Sequence, residues 1–196
     1  MKRIEFWFDF ASTYSYLSMM RIRRLADDAD IRVELRPFLL GPIFQSLGWN
    51  NSPFVLQEAK GSYMWRDMER LCAKYGLRWQ RPSAFPRNGL LAARVVLAAG
   101  AAPWVQDFCE RVMLANFADD REISDEATIA SILDRLGADS ATILQAARTD
   151  AVKLALREQS AAAQARGIFG APTFFVGDEM FWGNDRLEDA LAMTAR

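Results

Sequence analysis

The sequence contains no histidine. That zero removes His-based triads, imidazole acid–base catalysis and the commonest metal sites. Cysteine is nearly as scarce. Cys72 and Cys109 stand far apart, without a Cys-x-x-Cys spacing, each among apolar residues at helical periodicity; they are expected as reduced core thiols of a cytosolic protein. Lysine is rare too, 4 against 20 arginines, and the cations interleave with acids to leave a net charge of −1. Such a surface offers no electrostatic footprint for nucleic acid. No apolar stretch approaches the roughly 18 residues of a membrane span. Met1-Lys2-Arg3 leads straight into a strand-like run, with no small-residue cleavage site behind an apolar segment. A soluble, cytoplasmic protein is expected, with no metal and with neither nucleic acid nor membrane as partner.

What the chain does have is apolar side chains in ordered patterns. Hydrophobic residues make up 51% of 196, with only 11 Gly and 7 Pro, enough for one well-packed domain or one domain carrying a large insertion. Residues 4–10, Ile-Glu-Phe-Trp-Phe-Asp-Phe, read as a short strand buried on both faces. From about 15 to 29, Tyr16, Leu17, Met20, Ile22 and Leu25 recur at helical spacing; 31–36 then alternates with period two until Pro37. This is a β-α-β unit within the first 37 residues, of the kind that pairs two parallel strands.

Residues 37–53, with Gly41-Pro42, Gly48 and Asn50-Asn51, read as an irregular loop. The middle of the chain is helical in pattern. Helices are predicted over about 55–75, 88–99, 102–117, 125–136 with Ser124 as N-cap, 140–148, and 150–166 ended by Gly167. Strands return at 172–176 and 179–182 around Gly177-Asp178, and a final helix opens after Gly183 with Asn184 as its natural N-cap. The predicted architecture is therefore α/β: a thioredoxin-like fold, residues 1–40 plus 150–196, interrupted by a large all-helical insertion over 41–149.

Four stretches in this order carry a resemblance. They are Phe8-Asp9-Phe10-Ala11-Ser12-Thr13-Tyr14-Ser15-Tyr16-Leu17; Pro37-Phe38-Leu39-Leu40-Gly41; Ala59-Lys60-Gly61-Ser62-Tyr63-Met64-Trp65-Arg66-Asp67; and Gly167 through Val176 with Trp182-Gly183-Asn184-Asp185-Arg186. Together they span nearly the whole chain and resemble the 2-hydroxychromene-2-carboxylate isomerases and their relatives, the kappa-class glutathione transferases, in the DsbA-like branch of the thioredoxin superfamily. Where redox members of that superfamily bear Cys-x-x-Cys, this chain has Ser12-Thr13-Tyr14-Ser15, so thiol–disulfide exchange by the protein itself is not expected.

Each candidate residue has a plain reading beside the one the resemblance implies. Ser12, between a strand and a helix N-terminus, reads as an N-cap at a place that favours anions; the resemblance implies that its hydroxyl faces the sulfur of bound glutathione and makes it the catalytic residue. Thr13 departs from the proline that the family commonly has there. Pro172 reads as the start of a strand, and the resemblance implies a cis-proline beside which the Ala171 backbone pairs with the cysteinyl part of glutathione. Asn184 and Asp185 read as a cap and a dipole complement; the resemblance gives them the γ-glutamyl end. Lys60 reads as part of a solvated helix face and is implied at the glycine end. Asn51, or Asn50 one place earlier, is implied near the sulfur and substrate.

Three functions compete on these residues. The first is a glutathione-dependent isomerase of an aromatic α-keto acid, acting by reversible thiol addition, bond rotation and elimination, a chemistry that requires no histidine and no metal. The second is a kappa-like transferase that conjugates glutathione to an electrophile. The third is a non-catalytic thioredoxin-fold protein that holds a peptide in its cis-proline groove. The small-molecule partners expected are glutathione and an aromatic substrate, and a homodimer is a further expectation.

Overall fold

Alternation sets the first strand. In the computed structural model, which describes residues 2–194, β1 (Lys2–Phe8) turns Ile4, Phe6 and Phe8 into the main core and Trp7 to the opposite face of the sheet. Both faces are covered, as the aromatic run implies. β1 lies between β2 (Ile31–Pro37), its parallel neighbour, and β3 (Thr173–Val176), which runs antiparallel to it and pairs in turn with β4 (Glu179–Trp182). The sheet order is β2-β1-β3-β4. Phe6 sits opposite Phe174, their rings stacked at 5.1 Å, so the two ends of the sequence meet at the centre of the sheet.

α1 (Thr13–Asp28) makes the crossover between β1 and β2, with Tyr16, Leu17, Met19 and Ile22 fully buried. Between β2 and β3 come α2 (Leu40–Ser46), α3 (Pro53–Leu56), α4 (Glu58–Tyr75), α5 (Leu90–Ala99), α6 (Val105–Phe117), α7 (Glu126–Arg135), α8 (Ser140–Ala147) and α9 (Asp150–Ala165). α9 supplies Ala163 to the smaller core around Trp7, Phe38 and Phe175. A 3-10 turn at Asn184–Arg186 leads into α10 (Leu187–Met193). The fold is thioredoxin-like, as expected, a mixed four-stranded sheet accompanied by many helices.

Beyond shifts of two or three residues at element ends, the structure differs from the sequence expectation in four places, each with a local cause. The loop expected over 37–53 contains α2, because Pro42 falls in a first turn where its missing N–H costs nothing and the Asp9 carboxylate accepts from the Leu40 N–H at 2.8 Å. The helix expected over 55–75 is broken at Gln57, whose backbone is extended, into α3 and α4. Asp125 rather than Ser124 caps α7, accepting from the Thr128 N–H. Asn184 caps nothing: neither the 3-10 turn nor α10 has a side-chain cap.

α3 folds back onto α4 so closely that a Cβ on Gly61 would lie 2.2 Å from the Phe54 carbonyl oxygen. In an exposed helix, Gly→Ala stabilises by about 1 kcal/mol. Here the sign should reverse: Gly61→Ala must push α3 off α4 and should cost about 1–3 kcal/mol, read as a lower Tm. A gain in Tm would show that this contact is slack.

Candidate functional site

The turn between β1 and α1 is built around two side chains. Asp9 is 6% exposed. One carboxylate oxygen accepts from the Ala11 N–H and the other from the Leu40 N–H, both at 2.8 Å, while its backbone carbonyl accepts from the Ser12 N–H at 3.0 Å. Asp9 thereby ties the Ser12 turn to the start of α2. Ser12 is the N-cap of α1: its Oγ accepts from the Ser15 N–H at 3.2 Å and donates to the Ala171 carbonyl at 3.0 Å. A hydroxyl has a single proton, so donation to an incoming anion requires Ser12 to turn away from Ala171. The Ala171–Pro172 peptide is cis, as is Phe85–Pro86. Thr13, in place of the family's proline, is buried as the first residue of α1, where its hydroxyl donates to Met64 Sδ at 3.2 Å.

These groups open onto a cavity of about 1180 Å³. Ser12, Asn51, Lys60, Ala171, Pro172, Asn184 and Asp185 all line it, and Asn50 does so beside Asn51. Lys60 and Asp67, seven residues apart on one face of α4, look into it together with Leu71 and Lys74. Lys60 is exposed and has no carboxylate partner among the described residues. Asn51 is exposed, its side-chain oxygen accepting from the Ser52 N–H. Asp185 is exposed, 3.5 Å from Arg186. Asn184 is 3% exposed, its Oδ1 accepting from Ser18 Oγ at 3.2 Å and Arg21 Nη1 at 3.0 Å.

Aromatic side chains form much of the remaining wall, among them Tyr14, Phe44, Trp49, Phe54 and Phe85, with the exposed pair Phe169 and Trp182 at 4.7 Å on the rim. Tyr14 Oη donates to Asp67 Oδ2 at 2.9 Å. Burial, and then the Asp67 carboxylate, hold the Tyr14 phenol above its ordinary range, so it stays protonated. Asp9, Tyr14 and Asp67 were not singled out from the sequence. The usable signal was Asp9 itself, a charged residue inside an otherwise aromatic run.

The protein's own thiols stand apart from this chemistry. Cys72 and Cys109 are buried, and burial pushes Cys72 up to about 12 and Cys109 well above its usual range. Neither is a nucleophile near neutral pH. Among the described residues there is no group of three or more His, Cys, Asp or Glu that could hold a metal ion, and no helix is long and apolar enough to cross a membrane.

A thioredoxin-like sheet, a cis-proline facing the first helix, and Ser-Thr-Tyr-Ser at the redox position define a DsbA-like protein without its redox pair. The family description "DSBA-like thioredoxin domain" matches residues 3–193. The 2-hydroxychromene-2-carboxylate isomerase of Sphingobium xenophagum is 31% identical over 195 residues, covering 95% of each chain. Glutathione S-transferase kappa 1 of Rattus norvegicus is 26% identical over 94% of this chain and 87% of its own. A solved structure of a 2-hydroxychromene-2-carboxylate isomerase superposes with a TM-score of 0.89 at 28% identity, covering 99% of this chain and 96% of that one. The chain belongs to the DSBA-like thioredoxin family and, within it, to the group of the 2-hydroxychromene-2-carboxylate isomerases.

Burial raises the Asp9 pKa from 3.8, opposed by the two backbone N–H groups that lower it. The folded protein therefore holds this proton to higher pH than the unfolded chain does. The resulting stability is complete below the unfolded value and is lost as pH rises through the folded one. Asp9→Asn, which cannot ionise, should lag the wild type most in acid and least near neutrality. Urea unfolding of both proteins at about pH 4 and pH 7 reads this, and a deficit that grows with pH would contradict it.

Proposed function

We propose that the protein is a glutathione-dependent isomerase of an aromatic α-keto acid, of the 2-hydroxychromene-2-carboxylate kind. The observation that carries the proposal is Ser12 itself. It is an anion-favouring hydroxyl at the N-terminus of α1, in hydrogen-bond contact with the residue before a cis-proline, at the position where redox relatives carry their cysteine pair. The isomerase relatives support the reaction class.

The cavity residues fit glutathione. Lys60, exposed on the cavity, suits the glycine carboxylate; the Ala171 backbone suits the cysteinyl peptide; Asp185 suits the ammonium of the γ-glutamyl end, with Asn184 beside it. The volume of about 1180 Å³ leaves room for an aromatic acid against Trp49, Phe54 and Phe85. When bound, glutathione supplies a nucleophilic thiol that adds reversibly to a conjugated carbon and turns a locked double bond into a rotatable one. The chain's part is electrostatic. The backbone N–H groups of the first turn of α1 and the Ser12 hydroxyl stabilise an anion, lowering the pKa of a thiol from roughly 8.5. Asp9 holds that turn in place beside the aromatic wall.

A kappa-like transferase uses the same site, and the rat kappa relative favours keeping that reading second. The two differ in outcome: an isomerase returns its glutathione, whereas a transferase consumes it. The peptide-binding reading has less support, because a backbone groove does not require Lys60, Asn51 and Asp185 on one cavity.

Calorimetry should detect glutathione binding at millimolar concentration or below, and its absence would end this reading. Ser12→Ala should slow turnover at saturating glutathione by roughly 10²–10³, the worth of one well-placed oxyanion donor. It should also lose about 0.5–2 kcal/mol of stability through the lost cap. A stability loss with an unchanged rate would leave Ser12 as a cap only. Asp185→Asn should weaken glutathione binding by about two- to fivefold, as suits an exposed charge. Unchanged affinity would remove Asp185 from the site.

A further inference from the structure

One end of the cavity rests on a buried arginine that the proposed chemistry does not use. Arg21, on the third turn of α1, is 7% exposed. Its Nη1 donates to Asn184 Oδ1 at 3.0 Å, its Nη2 meets the Glu188 carboxylate on α10, and its guanidinium carbon lies 3.8 Å from the centre of the Tyr75 ring on α4. Removing a guanidinium from water costs several kcal/mol unless its donors are satisfied. An apolar side chain would pack the same space without that cost.

The arginine instead fixes the orientation of an amide. Guanidinium donates and never accepts, so the Asn184 atom that faces it is the oxygen. Ser18 Oγ donates to the same oxygen at 3.2 Å. With Oδ1 held by two donors from α1, the two N–H bonds of Nδ2 are aimed away from α1. Asn184 also lines the cavity. We infer that Arg21 is a positioning residue: together with Ser18 it locks the Asn184 amide with its N–H donors toward the cavity, making that end selective for a carboxylate. This rests on the glutathione reading, which already puts the γ-glutamyl end at Asn184 and Asp185, and adds to it that Arg21 sets which face of the Asn184 amide meets the α-carboxylate.

The test is calorimetric titration with two probes, glutathione and its analogue whose γ-glutamyl α-carboxyl is amidated, on wild type, Arg21→Met, Arg21→Lys and Asn184→Asp. Wild type should prefer glutathione at least about tenfold, the usual worth of a hydrogen bond to a charged group. Asn184→Asp keeps an oxygen for Arg21 and Ser18 but turns a second oxygen to the cavity, so the preference should vanish or reverse. Arg21→Met should reduce it, and Arg21→Lys, which can still donate to Oδ1, should restore part of it. A purely structural arginine would weaken both probes equally. If Arg21→Met does not fold, Arg21→Lys decides the Arg21 role, by a preference that is reduced but not abolished while the affinity for both probes together is kept, and Asn184→Asp decides the Asn184 role. Wild-type glutathione binding with the carboxylate preference intact in the variants overturns the Arg21 role and leaves the glutathione reading standing. No glutathione binding by the wild type overturns both.

Discussion

The site exists because β1 pairs on both edges. Its parallel partner β2 follows after one helix, but its antiparallel partner β3 arrives only after the whole helical stretch, and the stacked Phe6 and Phe174 mark where the two ends of the chain meet. The same pairing brings Ser12 to the Ala171 carbonyl across 159 residues of sequence. The sheet's loop-closure cost is met by burying Ile4, Phe6, Phe8 and Phe174 completely. The site therefore inherits its rigidity from the core beneath it.

Polar groups then refine what the sheet brings together. Asp9, Ser12 and Asn184 share one pattern: each is half-buried or buried, each is held by donors or acceptors from a second element, and each faces the cavity. Of the three, Asn184 commits its Oδ1 to two donors of α1, which leaves it few rotamers and aims its Nδ2 in advance. Aimed dipoles and helix-terminal N–H groups of this kind can stabilise an anion without a histidine.

The sheet, the crossover helix and the turn at Ser12 were legible because the hydrophobic period changes sharply at residues 10 and 31, and the cluster of candidate residues came from motif resemblance. What stayed hidden was capping from a distance. Gly41-Pro42 looks like loop chemistry, yet α2 forms there because its N-terminal donor is satisfied by Asp9, 31 residues earlier. Asn184 has the composition of an N-cap, yet its oxygen belongs to Arg21, 163 residues away. Local sequence reports local hydrogen bonding; it cannot name a partner that only the folded sheet supplies.

Glutathione-dependent isomerisation is tested most directly by following 2-hydroxychromene-2-carboxylate by absorbance with purified protein, while assaying free glutathione in the same sample. The account predicts conversion to the isomer only when glutathione is present, with glutathione undiminished at the end. Conversion at the same rate without glutathione, or loss of one glutathione for each substrate consumed, would contradict it.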